Sequence, residues 1–593
     1  MATDGGRMTV PEPTRFVDSS GVRLAVYESG DPGNPTVVLV HGYPDAATVW
    51  DGVAGILAGS YHVVRYDVRG AGRSSAPKGT GSYRMELLAA DLFAVVDAVS
   101  PTEPVHLVAH DWGSIQSWEA VTEPGAHRRI ASFTSISGPC LDHVGHLMRD
   151  RLARPTPRNL RKVVSQLLHS WYIAAFQVPV VAPAVWRLVL ARRWSGLLER
   201  LEGVPATIPN HPAPTLASDA VRGIALYRAN MFKRIGKAPR ERRTEVPVQI
   251  IQPTGDRYAT PPLTEGVERW VTRLWRRSLH ARHWAPLTHP EAVARMVDEF
   301  ARHAAGGAAS RALRRAEVGT ARPRFADHLV VVTGAGSGIG RETALAFAEA
   351  GAEVVAADID GDAAHRTADL AGVVGVPGHG YRVDVTDESD VFRFASAVAD
   401  RHGGADIVIN NAGIGLSGPF LETTAKDWHQ VLDVNLWGVI HGCRAFGEQL
   451  VARGEGGYIV NVASMAAYLP TRELPAYATT KAAVFMLSDC LRAELDGHGI
   501  GVSTICPGVV ATNITRTARF TGVDDAGQQA KRDRATKLYG RRNFTPRRVA
   551  TEIVRAVERQ RPVVPVTPEA KVTYLLSRVS PATLRSAAKL ELS

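Results

Sequence analysis

The chain has 593 residues, which is too long for one hydrophobic core and predicts roughly two to four domains. Hydrophobic residues make up 45% of it and charged residues 22%, as in ordinary globular proteins. The formal net charge of +10 is spread along the chain rather than gathered in one stripe, so we expect no nucleic-acid partner.

The four cysteines are scattered and form no CxxC pair. This spacing argues against a disulfide framework or a zinc site and favours a reducing compartment, so we expect no bound metal. No run approaches the roughly 20 apolar residues that span a bilayer, and the N-terminal stretch lacks the apolar segment of a signal peptide. We therefore expect a cytoplasmic protein. Basic segments at 149–162 and 187–193 leave peripheral association with the inner membrane face open.

Two stretches each begin an alternation of strands and helices, "PTVVLVHGYP" at 35–44 and "HLVVVTGAGSGIG" at 328–340. This pattern is typical of α/β domains built on parallel sheets. In the first half the alternation breaks between about 140 and 240, where a mostly helical segment indicates a lid over a pocket. We predict a first domain at 1–302, a linker at 303–322, a second domain at 323–562 and a C-terminal tail at 563–593.

The stretch "HDWGS" places an aspartate, Asp111, directly after the apolar run "VHLVA", where a strand should end. Small residues, Ala109 and Gly113, lie two positions away on either side, as a strained turn that presents a nucleophile requires. The competing interpretation is a structural carboxylate that caps the following helix.

A second motif, "HGYP" at 41–44, follows the strand "TVVLV". Its turn can aim the backbone N–H of Tyr43 at Asp111, and the N–H of Trp112 comes from the other side. Together these two donors form a candidate oxyanion hole.

Candidates for an acid and a base follow later in the first half. Asp256 follows the strand "VQIIQPT" and a glycine, and His283 precedes a tryptophan shortly before "HPE". Other residues compete for these roles: Asp142 for the acid, and His280 and His289 for the base.

The motifs "HGYP", "DVRGAGRS" and "HDWGS" make the first ~300 residues resemble the α/β-hydrolase superfamily, in the branch of epoxide hydrolases and haloalkane dehalogenases. The resemblance implies an α/β-hydrolase fold with Asp111, Asp256 and His283 as nucleophile, acid and base, in that chain order. Carboxylate attack on a saturated carbon gives an ester, which His283 can hydrolyse by activating water. Asp111 therefore indicates displacement at sp³ carbon.

The epoxide-hydrolase and dehalogenase branches differ in the residues that stabilise the leaving group. Dehalogenases usually carry a second halide donor, often Asn, after the His-Gly pair, where this chain has Tyr43. Epoxide hydrolases use two lid tyrosines that donate hydrogen bonds to the epoxide oxygen, and Tyr172 and Tyr227 match those positions. We predict an epoxide hydrolase, with a haloalkane dehalogenase as the alternative.

The second half opens with "VVVTGAGSGIG", a buried strand followed by a glycine-rich turn into a helix. Such a turn lets the backbone approach a pyrophosphate at the helix N-terminus. The next strand, "AEVVAAD", ends in Asp358, which can accept both ribose hydroxyls and repels a 2′-phosphate, so NAD is favoured over NADP. The predicted contacts of the turn are Gly334, Ser337, Gly338, Ile339 and Gly340.

Further motifs of this half are "DVTD", "NNAG", "DVNLWG", "IVNVAS", "YATTK" and "CPGVVATNI". With the glycine turn they make residues 325–560 resemble the short-chain dehydrogenase/reductase family, which implies a doubly wound, Rossmann-type sheet. Tyr477 is the implied general acid/base and Lys481, four residues on and on the same helix face, lowers its pKa. The resemblance implies further site residues: Ser464 and Asn435 in catalysis, and Asp384, Val385, Asn411 and Thr512 at the cofactor.

The two halves together predict a bifunctional enzyme. The epoxide would open to a vicinal diol, and one hydroxyl would then be oxidised with NAD. The basic, apolar lid favours a hydrophobic, lipid-like substrate, and the dehydrogenase half favours a homo-oligomer. The tail at 563–593 is interpreted either as a packed tail or oligomer contact, or as a helix that seeks a membrane surface.

Overall fold

The computed structural model describes residues 12–235, 240–541 and 544–588. The chain separates between Thr320 and Ala321 into two units, each with its own sheet and hydrophobic core. Each unit contains one of the two predicted alternations of strands and helices, so the fold class is α/β in both halves.

Eight strands form the sheet of the first unit: β1 (Arg15–Ser19), β2 (Val22–Ser29), β3 (Thr36–Val40), β4 (His62–Tyr66), β5 (Val105–His110), β6 (Ile130–Ile136), β7 (Val248–Pro253) and β8 (Leu274–Leu279). Their order is β1-β2-β4-β3-β5-β6-β7-β8. The pairs β1–β2 and β2–β4 are antiparallel and the other neighbours are parallel. Every residue of β3 and β5 is buried, because helices cover both faces of the sheet.

The helices of this unit are α1 (Asp51–Leu57), α2 (Met85–Val99), α3 (Trp112–Val121), α4 (Leu141–Ala153), α5 (Pro157–His169), α6 (Trp171–Gln177), α7 (Val181–Val185), α8 (Ala191–Glu202), α9 (Leu216–Ile235), α10 (Ala285–Thr288), α11 (Pro290–Ala304) and α12 (Arg311–Ala316). Helices α4 to α9 lie between β6 and β7 in the chain, in the segment that the sequence predicts to be a helical lid. No single helix within the described ranges is long and apolar enough to cross a membrane. By length and composition alone, the bent pair Trp171–Gln177 and Val181–Glu202 passes that test.

Much of the predicted linker is folded. Leu313 on α12 is fully buried against Trp275 and Phe300 of the first unit. The backbone N–H of Val318 then donates to the carbonyl of Leu274 at 2.9 Å. The division between the units therefore lies near the end of the segment 303–322, because its apolar residues complete the first core.

The second unit has a seven-stranded parallel sheet and a small two-stranded one. Its strands are β9 (Leu329–Thr333), β10 (Glu353–Asp358), β11 (Gly378–Arg382), β12 (Ile407–Asn410), β13 (Leu416–Ser417), β14 (Gly457–Val462), β15 (Ile500–Cys506), β16 (Arg519–Phe520) and β17 (Val563–Pro565). The large sheet has the order β11-β10-β9-β12-β14-β15-β17, and β13 pairs with β16. The order reverses direction at β9, so the sheet is doubly wound.

Helices cover both faces of this sheet. They are α13 (Gly338–Glu349), α14 (Gly361–Val373), α15 (Glu388–His402), α16 (Ala425–Leu432), α17 (Gly438–Arg453), α18 (Pro475–Leu495), α19 (Ile514–Thr517), α20 (Asp525–Arg541), α21 (Pro546–Glu558), α22 (Pro568–Val579) and α23 (Pro581–Ala587).

The segment predicted as a tail begins inside the sheet. Val563–Pro565 is the edge strand β17 and pairs with β15, and Val564 and Val566 lie in the core. After it, the ring of Tyr574 on α22 packs 5.3 Å from that of Tyr468. A sequence boundary at residue 563 is therefore too early, because a three-residue strand is too short to show a clear alternating pattern.

Candidate active sites

Asp111 lies on a tight turn between the end of β5 and the start of α3. Its backbone has φ 51° and ψ −123°, a conformation that residues with a Cβ rarely adopt. The turn is crowded, because a Cβ at Gly42 would lie 2.4 Å from the Cβ of Asp111. A Cβ at Gly113 or Gly138 would lie 2.3 Å or 2.2 Å from a backbone oxygen. These glycines therefore make room for the strained turn.

The Asp111 carboxylate is held by the loop after β3 and not by the helix that follows it. The backbone N–H of Tyr43 donates to its Oδ1 at 2.8 Å. Asp111 occupies the N-cap position of α3, yet its side chain makes no capping hydrogen bond. Trp112 is buried as the first residue of that helix. The geometry favours a presented carboxylate over the helix-capping interpretation.

His283 lies between two carboxylates. Its Nε2 is 3.5 Å from Oδ2 of Asp111, and its Nδ1 is 3.1 Å from both carboxylate oxygens of Asp256. Asp256 also accepts hydrogen bonds from the backbone N–H groups of Tyr258 and Ala259. The three residues therefore form a connected row, with Asp256 positioned to orient the imidazole.

Within this row, the electrostatic interactions favour a protonated His283 beside an ionised Asp256. Burial alone would lower the pKa of His283, but Asp256 and Asp111 raise it well above its ordinary value. Burial likewise opposes ionisation of Asp256, yet the charge and hydrogen bond of His283 hold the pKa of Asp256 below its ordinary value. These contacts favour the protonated imidazole as long as Asp111 is ionised.

The competing residues have other partners. Asp142 forms an ion pair with Arg242 at 3.3 Å and accepts a hydrogen bond from the backbone of Arg240. His280 lies 3.3 Å from the hydroxyl of Thr254. A third rival, His289, contacts the neighbouring Thr288 hydroxyl. The contacts between Asp256, His283 and Asp111 therefore favour Asp256 and His283 over these alternatives.

The two lid tyrosines pack close to each other near the turn that carries Asp111. The rings of Tyr172 on α6 and Tyr227 on α9 lie 5.9 Å apart, and Tyr227 packs 4.8 Å from the indole of Trp112. Burial, with the nearby charge of Asp111, raises the pKa of both hydroxyls far above the ordinary value. Both therefore stay protonated and able to donate. Further aromatic side chains extend this surface: Tyr43, Phe176, Trp186 and Tyr258.

In the second unit the glycine turn joins β9 to α13. Gly334 and Gly338 have φ values of 63° and 55°, in the left-handed region that favours glycine. A Cβ at Gly340 would lie 2.1 Å from the carbonyl oxygen of Gly334, so the helix packs directly on the turn. Ser337 occupies the N-cap position of α13. Ile339 packs against the hydrophobic core.

Side chains from neighbouring strands hold this turn in place. Asn411 donates through Nδ2 to the carbonyls of Thr333 and Gly334 at 3.0 and 3.1 Å. Asp358 ends β10, and its Oδ2 accepts a hydrogen bond from the backbone N–H of Gly336 at 2.8 Å. The carboxylate therefore borders the turn at the carboxyl end of its strand, where a ribose would lie.

The predicted residues Asp384 and Val385 follow β11. Asp384 accepts from the backbone and hydroxyl of Thr386, and Val385 lies against Gly438 at the start of α17. Thr512 lies near the glycine turn, since a Cβ at Gly338 would be 3.5 Å from the Cβ of Thr512.

A π-helical segment between α16 and α17 positions Asn435. This segment is Asp433–Trp437, and such bulges are frequent at functional sites. Asn435 is fully buried, accepts from the N–H of Ile414 at 2.8 Å and donates to the carbonyl of the same residue. Its amide is therefore fixed beside the loop after β12.

Helix α18 carries Tyr477 and Lys481 on one face. The Nζ of Lys481 lies 5.8 Å from the centre of the Tyr477 ring and donates to the carbonyl of Val462 at 2.9 Å. Burial lowers the pKa of Lys481 to about 8. Ser464 follows β14 and begins the short turn Met465–Ala467, which packs against α18. The structure thus brings Ser464, Tyr477, Lys481 and Asn435 to one end of the sheet.

Comparisons with known proteins agree with this division. A family model described as alpha/beta hydrolase fold matches residues 35–290, and one described as short chain dehydrogenase matches residues 328–521. The chain is also 49% identical to the "Probable oxidoreductase EphD" of Mycobacterium tuberculosis, over 97% of this chain and 98% of that protein. The chain belongs to this hydrolase–dehydrogenase family.

Other similarities cover the dehydrogenase unit alone. The chain is 41% identical to a 1-deoxy-11-beta-hydroxypentalenate dehydrogenase of Streptomyces exfoliatus, over 31% of this chain and 67% of that protein. A solved short chain dehydrogenase/reductase from Burkholderia phymatum, in complex with NAD, is 30% identical. It covers 45% of this chain and 99% of its own, with a TM-score of 0.42.

The dehydrogenase unit of this family member fits a dinucleotide at the glycine turn. A side chain at Gly336 would meet the carboxylate of Asp358 at 2.8 Å, and one at Gly334 would meet Ala412 at 2.7 Å. The turn therefore tolerates no side chain at these positions, and it leads into the N-terminus of a twelve-residue helix, which would favour a phosphate.

In the hydrolase unit of this family member, sequence reasoning missed several supporting residues. Glu202, at the end of α8, is buried and accepts the backbone N–H of His283 at 3.0 Å. Asp45 accepts from the Trp284 indole at 2.9 Å and lies 3.0 Å from the His211 imidazole. These contacts join distant parts of the chain, so no local pattern could have revealed them.

Proposed function

We propose that the chain is a bifunctional enzyme that hydrolyses an epoxide in its first unit and oxidises or reduces an alcohol–carbonyl pair with NAD in its second. The observation that carries the first activity is a carboxylate on a strained turn, with His283 on one side and two protonated lid tyrosines above. The second activity is supported by the grouping of four side chains at one end of the sheet: Ser464, Tyr477, Lys481 and Asn435.

Ring opening begins with the Asp111 carboxylate. One of its oxygens attacks an epoxide carbon, the carbon–oxygen bond of the ring breaks, and an ester forms. The epoxide oxygen leaves as a developing alkoxide, which Tyr172 and Tyr227 stabilise and protonate. Because both tyrosines lie in a buried aromatic surface, their hydrogen bonds act in a low dielectric.

Ester hydrolysis regenerates the carboxylate. His283 takes a proton from water, and the resulting hydroxide attacks the carbonyl carbon of the Asp111 ester. The N–H of Tyr43, already 2.8 Å from Oδ1, donates to the oxyanion of the tetrahedral intermediate. Trp112 is the second proposed donor. Collapse of the intermediate breaks its bond to the alcohol oxygen, and the protonated His283 gives its proton to that oxygen as the diol leaves.

In the second unit a bound nicotinamide cofactor would accept or supply a hydride. The Tyr477 hydroxyl exchanges a proton with the substrate oxygen, which Ser464 holds by a hydrogen bond. The ammonium of Lys481 stabilises the tyrosinate, and Asn435 holds a water that passes protons to Lys481. Thr512 would position the carboxamide of the cofactor, Asp384 and Val385 would contact its adenine, and Asn411 would support the turn that holds it.

Asp358 supports a preference for NAD. Its carboxylate at the end of β10 would accept ribose hydroxyls and repel the phosphate that distinguishes NADP. An Asp358→Ser variant is expected to raise kcat/KM with NADP relative to that with NAD. An unchanged cofactor ratio would contradict this assignment.

Isotope labelling tests the aspartyl ester. In ¹⁸O-water, with enzyme in excess over a long-chain epoxide, the first turnover should give unlabelled diol, because the new oxygen comes from Asp111. With excess substrate the diol should carry the label. Label in the first turnover would mean direct attack by water. Halide release from a bromoalkane, without any epoxide turnover, would instead support the dehalogenase alternative.

We also propose that the lid docks on an anionic membrane surface and takes a lipid-like substrate there. Large apolar side chains are exposed along the chain from α5 to α8, among them Leu168 on α5 at 70% and Leu188, between α7 and α8, at 67%. Arginines lie at the exposed positions 158, 161, 187, 192 and 193 of the same stretch. Apolar side chains flanked by cations are typical of helices that lie in a membrane interface.

Vesicle flotation tests the lid proposal. The full chain should float with vesicles of anionic lipid and much less with zwitterionic ones. Leu168→Asp with Leu188→Asp should remove flotation, while Ile56→Asp, at an exposed site on α1, should not. Failure of the unchanged chain to float would overturn the proposal.

The dehydrogenase unit is proposed to form a homo-oligomer. Trp437 and Met486 are 50% and 61% exposed on elements that pack together, which is unusual for side chains of this size. Light scattering after size exclusion should show a dimer or tetramer, and Met486→Asp should weaken it. A monomer at micromolar concentration would contradict the proposal.

A further inference from the structure

Three metal-binding side chains converge at the end of the second sheet that lies opposite the glycine turn. They are Glu353, the first residue of β10, His379 on β11, and His402, the last residue of α15. A possible ligand atom from each lies within 4.8 Å of the others, and all three residues are half-buried. None of them takes part in the proposed dehydrogenase chemistry.

Both histidines lie near the same carboxylate oxygen of Glu353. His379 Nε2 lies 2.8 Å from Oε1 of Glu353, and His402 Nδ1 lies 3.9 Å from the same oxygen. The two imidazole rings stack, with centroids 3.9 Å apart and planes inclined by 27°. Two nitrogen donors and one carboxylate oxygen therefore face a common point.

A neighbouring tyrosine fixes the orientation of one ring. The hydroxyl of Tyr381 lies 2.9 Å from Nε2 of His402. When Nε2–H donates to this oxygen, Nδ1 is left unprotonated and directed at Glu353. Histidines that bind metals in proteins are commonly held in this way, with the second ring nitrogen hydrogen-bonded to an outer partner.

We propose that Glu353, His379 and His402 bind a zinc ion. Two imidazoles and one carboxylate, with water in the fourth position, are a known tetrahedral donor set for zinc. Bonds of ~2.0–2.1 Å place tetrahedral ligand atoms about 3.3 Å apart. The observed separations of 2.8 and 3.9 Å lie on either side of this value. Binding needs only small side-chain movements and a larger tilt between the rings.

At this position the ion would stabilise the fold rather than act on the substrate. Glu353 begins β10 and Asp358 ends it, and at ~3.3 Å per residue the two lie roughly 17 Å apart. The ion therefore lies far from the reacting atoms. Because β11 is the edge strand of the sheet, the ion would tie this edge to β10 and to the end of α15.

The sequence offers no motif for this site. The expectation of no metal rested on the absence of paired cysteines, whereas these ligands come from three separate elements. The pairing of β10 with β11, which places Val355 opposite His379, brings Glu353 and His379 together, and the end of α15 adds His402.

Metal titration of the full, untagged chain tests the proposal. After removal of metals with a chelator, isothermal titration with zinc should show one equivalent bound, and bound cobalt should give the visible absorption of a tetrahedral site. His379→Ala and Glu353→Gln should each weaken zinc binding at least tenfold. Tyr381→Phe keeps all three ligands and should weaken it about tenfold through the lost hydrogen bond.

The control is His365→Ala, which removes an exposed histidine of α14 in the same unit. It should bind zinc like the unchanged chain, and NAD binding shows that each variant is folded. Zinc should also raise the Tm of the unchanged chain and not that of Glu353→Gln. Equal zinc affinity in the unchanged chain and Glu353→Gln, or no equimolar binding at all, would overturn the proposal.

Discussion

The proton affinity of His283 depends on two carboxylates, and only one of them would keep its negative charge when the ester forms. Asp256 and Asp111 both raise the pKa of His283. An ester at Asp111 carries no charge, so its formation would lower the pKa of His283 at the step in which water is deprotonated. The same contacts predict that hydrolysis slows as the pH falls through the pKa of His283, because the protonated imidazole cannot act as a base.

An Asp111→Asn variant imitates the uncharged ester. We expect the pKa of His283 to be lower in this variant than in the unchanged chain, as measured by NMR titration of ¹⁵N-labelled histidines and assigned with His283→Gln. Asp298→Asn changes a carboxylate on α11 and serves as the control. An unchanged pKa in Asp111→Asn would show that the carboxylate does not act on the imidazole.

The hydroxyls of Tyr172 and Tyr227 should matter more than their rings. Tyr172→Phe and Tyr227→Phe keep the aromatic packing and remove the proton donors. The double variant should open epoxides ~10²–10⁴-fold more slowly, the usual contribution of general acid catalysis. Single-turnover rates of ester formation measure this.

Tyr258→Phe is the matched control for the lid tyrosines. Its ring also packs 4.8 Å from His283, but its hydroxyl has no proposed role in proton donation. A similar loss in this variant and in the double variant would mean that packing, not proton donation, explains the effect.

At the scale of residues, the sequence predicts a role only where neighbouring positions in the chain mark it. Asp111 is marked by the small residues of its own turn, and Lys481 by its spacing from Tyr477 along one helix. Glu202 is different, because it meets His283 only after the lid folds back over the sheet. A single carboxylate at a helix end carries no pattern that separates it from a solvated one.

At the scale of elements, the edge strand β17 shows that the core of the second unit continues past residue 562. It lies beside β15, and the N–H of Val566 donates to the carbonyl of Cys506 at 3.1 Å. The sequence predicts continuously apolar strands such as β9 well. It fails for β17, because a strand of three residues that ends in a proline gives no periodicity.

Truncation separates this strand from the segment that follows it. A chain that ends at residue 562 would lose Val564 and Val566 from the core and expose the edge of β15, so its dehydrogenase activity should be lost and it should aggregate. A chain that ends at residue 588 keeps both helices after the strand and should remain active. NAD-dependent activity and light scattering measure the two outcomes. Full dehydrogenase activity in the shorter chain would show that β17 is dispensable.

At the scale of the whole molecule, each unit holds the side chains proposed for its own chemistry. Asp111, Asp256 and His283 come from the first unit alone, and Tyr477 and Lys481 from the second. The sequence predicts this division because each unit begins its own alternation of strands and helices. Its boundary was harder to predict, since α12 contributes a buried leucine to the first core despite a composition typical of linkers.

If the two activities act in sequence through a free diol, two defective chains should complement each other. Asp111→Asn leaves the dehydrogenase set intact, and Tyr477→Phe leaves the hydrolase set intact. With an epoxide and NAD, neither variant alone should form hydroxyketone, whereas a mixture should form it after a lag in which the diol accumulates. Mass spectrometry of the products over time measures both species. Accumulation of diol without any hydroxyketone in the mixture, while the unchanged chain forms hydroxyketone, would contradict a free intermediate and favour direct transfer within one chain.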